Sequence, residues 1–248
     1  DVAIGVYEGN SPSSYFFEGS IDEFTIHNVS FTAAEIKEHY QSQRGGFVKA
    51  GNFTSQIFDS GSTGTTWDNI TWDALHDFAN HTDAEPSTSK IDSTSLVLML
   101  HLNNDSTIGE NATFFVDEST SANNATCDNS AGECSTLNIT DTKFANSQTF
   151  DGGDCSSIPD SADWFFGTGD FSFNFWVNLQ VVTGSRMFIT QEDYVHRTSG
   201  YFAWRVFTSG GNLLRFEYST DGGTGDPSRT LLSVPWIPIT NTWYNIAV

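Results

Sequence analysis

The sequence predicts an all-β protein built as an antiparallel sandwich or jelly roll, with one short helix near residues 33–43. Three observations carry this. Phe171, Phe173, Phe175, Val177 and Leu179 alternate with Ser172, Asn174, Trp176 and Asn178, the period of a strand with two unlike faces. Short β-type runs are separated by Gly and turn residues along most of the chain, with almost no helical periodicity elsewhere. Aromatic residues make up 14% of the 248 residues, 21 of them Phe, which is ample material for a β core.

The elements follow in order. Phe24 and Ile26 alternate with Glu23, Thr25 and His27, as in a half-buried strand, and Asn28-Val29-Ser30 breaks the pattern. Thr32 and Glu35 have capping-box spacing, Phe31 and Ile36 sit at hydrophobic-staple positions, and Ile36 and Tyr40 share a helix face. Arg44-Gly45-Gly46 supplies a C-terminal cation and a stop. In residues 46–94 a β-type connector places Phe53, Ile57, Trp67 and Trp72 for packing on a neighbouring domain. A polar stretch with Pro86 then reads as an extended linker. Further strands are expected at Met187–Thr190, Tyr201–Thr208 and Leu213–Tyr218, and Asp221-Gly222 suits a hairpin turn.

Several motifs resemble the laminin-G-like (concanavalin A-like lectin/glucanase) jelly-roll family. Gly19-Ser20-Ile21-Asp22-Glu23 followed by Thr32-Ala33-Ala34-Glu35-Ile36 looks like the strand and helix that close such a domain, and Ala3-Ile4-Gly5-Val6-Tyr7 like the strand before them. Leu96–Leu102 resembles the family's first strand, and Asp117, Ser119, Asn123, Ala125 and Thr126 its D-x-S-x-x-x-N-x-A-T loop. Ser147–Gly152, Ile158-Pro159-Asp160-Ser161, Gly169–Val177 and Trp243–Val248 resemble later strands. The closing pattern thus precedes the opening one. The resemblance implies residues 1–45 as the C-terminal part of a first jelly roll, 46–94 as connector and linker, and 95–248 as the N-terminal part of a second. On this reading the chain is a window on a longer tandem protein. Each partial sandwich would need strands from the continuing polypeptide or from another copy, because a sandwich requires both inner faces.

The formal net charge of −21 disfavours nucleic acid and anionic membranes as partners. It fits calcium binding, a saline environment or plain solubility. No apolar run is long enough to span a membrane. Cys127 and Cys134 enclose a polar loop and are the expected disulfide, leaving Cys155 over. Asn-x-Ser/Thr sequons stand at Asn28, Asn52, Asn69, Asn80, Asn104, Asn111, Asn124 and Asn138, and none in the last 110 residues. Disulfide and clustered sequons together imply extracellular display of a glycoprotein.

Catalytic chemistry is not expected. Relatives that cleave glucans carry alternate carboxylates in an E-x-D-x-x-E strand; Glu18, Asp22 and Glu23 do not keep that spacing, and Asp22 and Glu23 should point to opposite faces. The histidines at 27, 39, 76, 81, 101 and 196 show no ligand or triad spacing and read as strand or surface residues. Calcium is the one cofactor considered: Asp151, Asp154 and Asp160 around one loop and Glu192 and Asp193 at a strand end are either its ligands or ordinary turn acids. Many members of the family bind calcium at the sandwich rim, so the resemblance supports the first, while Cys155, standing where the family usually has an acidic residue, counts against it and leaves turn acids the stronger reading. The expected function is a non-enzymatic structural or adhesive segment of a tandem surface or filament protein, whose partners are adjoining domains or other copies of itself. The alternative is a calcium-dependent glycan-binding module using Trp204, Trp236 or Tyr201 as sugar platforms. A glycoside hydrolase ranks third.

Overall fold

The computed structural model describes residues 2–5, 16–43, 94–127, 134–140, 142–192, 202–219 and 229–248. In chain order the elements are β1 (Val2–Ile4), β2 (Glu18–His27), helix α1 (Ala33–Gln43), β3 (Leu96–Leu100), β4 (Phe114–Phe115), β5 (Ala125–Cys127), β6 (Thr136–Asn138), β7 (Ser147–Asp151) and β8 (Ser156–Ile158). After a 3₁₀ turn at Ala162–Trp164 come β9 (Ser172–Leu179), β10 (Arg186–Glu192), β11 (Phe202–Ser209), β12 (Leu213–Ser219), β13 (Arg229–Pro235) and β14 (Trp243–Ala247). Two antiparallel sheets form. One runs β13-β12-β11-β10-β1-β8-β5-β4; the other runs β14-β9-β2-β7-β6, with β3 also paired to β2. The all-β sandwich and its helix at 33–43 are as the sequence predicts.

The segments read as belonging to successive domains share both sheets. β1 lies between β8 and β10, and β2 between β9 on one edge and β7 and β3 on the other. The physical reason is the demand of β2 itself. Ile21, Phe24 and Ile26 are fully buried, and the later segment supplies both the strand partners and the facing layer that bury them. The connector at 46–93 lies outside the described residues.

β2 serves two neighbours in line along one edge. Glu18–Ile21 pair with β7, and Phe24–His27 pair with β3. Against β9 the register shifts between Asp22 and Thr25: Asp22 faces Trp176 and Thr25 faces Asn174, so two residues of β2 oppose Phe175 alone. This is a β-bulge, and Glu23 takes φ +52° within it. A strict two-residue alternation would turn Phe24 to the face opposite Ile21; the inserted residue lets both point into the core.

The core joins the two inner faces through aromatic contacts. Phe173 lies 4.8 Å from Trp204, Phe175 5.7 Å from Phe188, and Phe17 5.4 Å from Phe188, ring centre to ring centre. The outer face of the smaller sheet is covered as well. Tyr40 of α1 stacks on Trp176 at 5.6 Å, and Lys143 sits over the same ring at 4.3 Å. The Phe144 amide donates to Asp22. Helix α1 starts as expected: the Thr32 hydroxyl accepts from the Glu35 amide, while the Thr32 amide and hydroxyl donate to Glu35. Those bonds hold the Glu35 carboxyl below its usual range. Residues 44–46, read as the helix stop, are outside the described residues.

Beyond β12 this cover ends. Leu232 and Val234 pair with Phe216 and Leu214, so they lie on the inner face, yet they are 58% and 55% exposed. Among the described residues the facing sheet stops at β14. Ile237 and Ile239, in the turn between β13 and β14, are also exposed.

Candidate functional site

The densest set of ionisable groups gathers at the β2 bulge. Glu23 is completely buried there, and His101, the residue after β3, is almost so. Nδ1 of His101 lies 3.0 Å from both carboxylate oxygens of Glu23, and its Nε2 lies 3.1 Å from Oε2 of Glu118. The imidazole is therefore held between two carboxylates. In a hydrolytic triad one ring nitrogen would face a nucleophilic hydroxyl; here each faces an acceptor oxygen. The two lone-pair-rich partners suit an imidazolium, which donates from both nitrogens.

A well-knit loop presents Glu118. The Asp117 carboxylate accepts from the amides of Met99, Ser119 and Asn123 and from the Ser119 hydroxyl, at 2.7–2.9 Å. Asn124 in turn accepts from the Asp117 amide, and Asn123 donates to Asp163. These bonds give the D-x-S-x-x-x-N spacing its physical content. The Asn123 bond holds the Asp163 carboxyl below its usual range. The loop after β3 adds two more acids. Glu110 is buried, and burial pushes its carboxyl up against the pull of the Val116 and Asp105 amides. Asp105 accepts from the Thr107 amide, which holds its carboxyl down.

Sequence reasoning missed this cluster. Strict alternation puts Glu23 on the polar side of its strand, His101 shows no ligand or triad spacing, and 78 residues separate them. The available signal was local: a histidine directly following the fully apolar run Leu96–Leu100 must be buried or end the strand, and a buried one needs a partner.

The expected site residues are placed as follows. Cys127 and Cys134 form the disulfide, with Cα atoms 5.4 Å apart, and it links β5 of one sheet to the segment entering β6 of the other. Cys155 is buried against Ala3 and Phe16. Asp154 accepts from the Asp151 amide and Asp151 from the Gly153 amide, so this pair shapes its own turn, while Asp160 is exposed. The Glu192 side chain and Asp193 lie outside the described residues. Among the described residues no three His, Cys, Asp or Glu side chains are grouped to hold a metal ion. Asn28 and Asn111 are exposed; Asn104, Asn124 and Asn138 are half-buried. Asn111 and Asn138 each accept from the amide and hydroxyl of the threonine two residues on. Asn52, Asn69 and Asn80 lie outside the described residues. Trp204 belongs to the core and Trp236 packs against it, in contact with Tyr244; Tyr201 is outside the described residues. Glu18 pairs with Arg186, Asp22 receives the Phe144 amide and Glu23 meets His101.

No protein-family model matches the chain, and no curated protein or solved structure matches it.

Proposed function

We propose that this chain is a non-enzymatic structural or adhesive segment of an extracellular protein, a laminin-G-like jelly roll whose sandwich is completed by further polypeptide. The observation that carries this reading is the open inner face at β13. Leu232 and Val234 point where a sandwich keeps its core, and a strand laid beside β14 would cover them. Adjoining domains of a longer chain or another copy of this one would supply it. The Cys127–Cys134 bridge supports an oxidising compartment. The exposed sequons at Asn28 and Asn111 support surface display.

Two measurements on native material test this. Hydroxyl-radical footprinting compares the native assembly with the isolated 248-residue chain; protection of Leu232 and Val234 only in the assembly is expected, and equal labelling sinks the completion reading. Glycopeptide mapping under non-reducing conditions should find glycan on Asn28 or Asn111 together with the intact bridge. Bare asparagines and reduced cysteines would remove the extracellular assignment.

A further inference from the structure

The Glu23–His101–Glu118 cluster sits where β2 changes partner. β7 pairs with β2 up to Ile21, β3 takes over at Phe24, and Glu23 is the bulged residue between them. His101 leaves β3 directly after Leu100, and Glu118 follows Asp117, which bridges Leu100. The amide of Glu118 also donates to the Met99 carbonyl. One imidazole thus ties together the bulge, the end of β3 and the Asp117 loop.

The tie depends on protonation. A neutral imidazole donates from one nitrogen and presents a lone pair at the other, so one of the two carboxylates would meet a lone pair. Because Glu23 is fully buried, an uncompensated charge there is poorly tolerated. The groups facing His101 among the described residues are Glu23 from β2, Glu118 from the loop after β4, and Asp105 and Glu110 from the loop after β3. All four are acids, and together they favour the cation.

We propose that Glu23, His101 and Glu118 form an alkali-sensitive latch, an imidazolium clamped between two carboxylates that holds the β2 bulge to the end of β3 and opens when the ring loses its proton. The sign follows from linkage. The closed latch binds one proton more than the open one, so the latch is intact below the ordinary imidazole range and is lost as pH rises through the value of the clamped ring.

The test uses the 248-residue chain labelled with ¹⁵N-histidine. At pH 7.5 the His101 ring should show two equivalent, protonated nitrogens. Glu118→Gln, which removes the part-exposed acid and leaves the buried pair, should lower the titration midpoint of His101 by about one pH unit. Hydrogen exchange supplies the conformational readout. As pH rises from the ordinary imidazole range, protection of the parent's Phe24 and Leu100 amides should fall about tenfold per pH unit and then level off above the titration midpoint of its His101. The amides of β11 and β12 should keep theirs. A singly protonated ring at pH 7.5 overturns the proposal. So does a protonated ring whose loss leaves Phe24 and Leu100 unchanged, or a loss of protection that β11 and β12 share equally.

Discussion

In β9, Phe173, Phe175, Val177 and Leu179 alternate with Ser172, Asn174, Trp176 and Asn178, and all eight residues are buried. In β13, Leu232 and Val234 alternate with Leu231 and Ser233, and all four are exposed. Both strands carry apolar residues on a core-facing side. The difference is cover. β9 has the larger sheet on its inner side and α1 with residues 143–144 on its outer side. Among the described residues β13 has β12 along one edge and no sheet opposite, because the smaller sheet ends at β14. Alternation specifies which face of a strand is apolar; it does not specify that anything lies against that face.

The sharpest way to break this comparison is a pair of truncations followed by chemical denaturation of the 248-residue chain. Phe175→Ala should destabilise by about 3–5 kcal/mol, since the cavity forms between two packed layers. Leu232→Ala should change stability by only about 0.5 kcal/mol. Equal losses would mean that β13 is covered in solution. Next in size is Gly19→Ala. Gly19 has φ +150°, and a Cβ there would lie 2.1 Å from the Asn178 carbonyl oxygen, so β2 would be forced off β9. A loss on the order of 3 kcal/mol is expected in the same assay. A variant as stable as the parent would show that β2 does not pack closely on β9 at Gly19.

Removing the disulfide by Cys127→Ala with Cys134→Ala should lower stability by about 2 kcal/mol, given the short loop it closes. Thermal melts with and without reductant check this: reductant should lower the melting temperature of the parent and leave that of the double variant unchanged. Smaller still is Thr32→Ala, which removes the cap of the helix covering Trp176. It should cost about 1 kcal/mol. Tryptophan fluorescence should report Trp176 becoming more exposed, making β9 resemble β13 on that side.

The smallest expected effect is on pH response. Burial against His27 and Phe31 holds the His39 imidazole below its usual value, against the charges of Glu38 and Glu35. A lowered folded value means the neutral ring is the packed form. Its contribution is complete above the ordinary imidazole range and declines as pH falls below it. Protection of the α1 amides, measured relative to their intrinsic exchange rates, should therefore fall between pH 7 and pH 5, and His39→Phe should abolish that change. A parent helix indifferent to pH would place His39 outside the cover.

Much of the architecture was legible because its signals are local. The Thr32–Glu35 capping box and the alternation of β9 depend on residues within a few positions of each other, and both appear as read. The Cys127–Cys134 bridge closes a seven-residue separation and was legible for the same reason. The Glu23–His101 contact was not legible. It needs β2 and β3 side by side across 78 positions, and it needs a bulge that alternation alone would deny. The calcium reading grouped Asp151, Asp154 and Asp160 by proximity in sequence, but Asp154 turns back onto the Asp151 amide while Asp160 faces solvent.

By itself the sequence determined the all-β class, the helix at 33–43, the apolar face of β9 and the disulfide, because each follows from spacing along one short stretch. Tertiary structure decided that β1 and β2 share sheets with strands from residues 96–248, that Glu23 and Glu118 clamp His101, and that among the described residues β9 is doubly covered while β13 is bare on its inner side. Those facts depend on which strand edges find each other, and backbone hydrogen bonds between strands are blind to the side chains that carry sequence pattern.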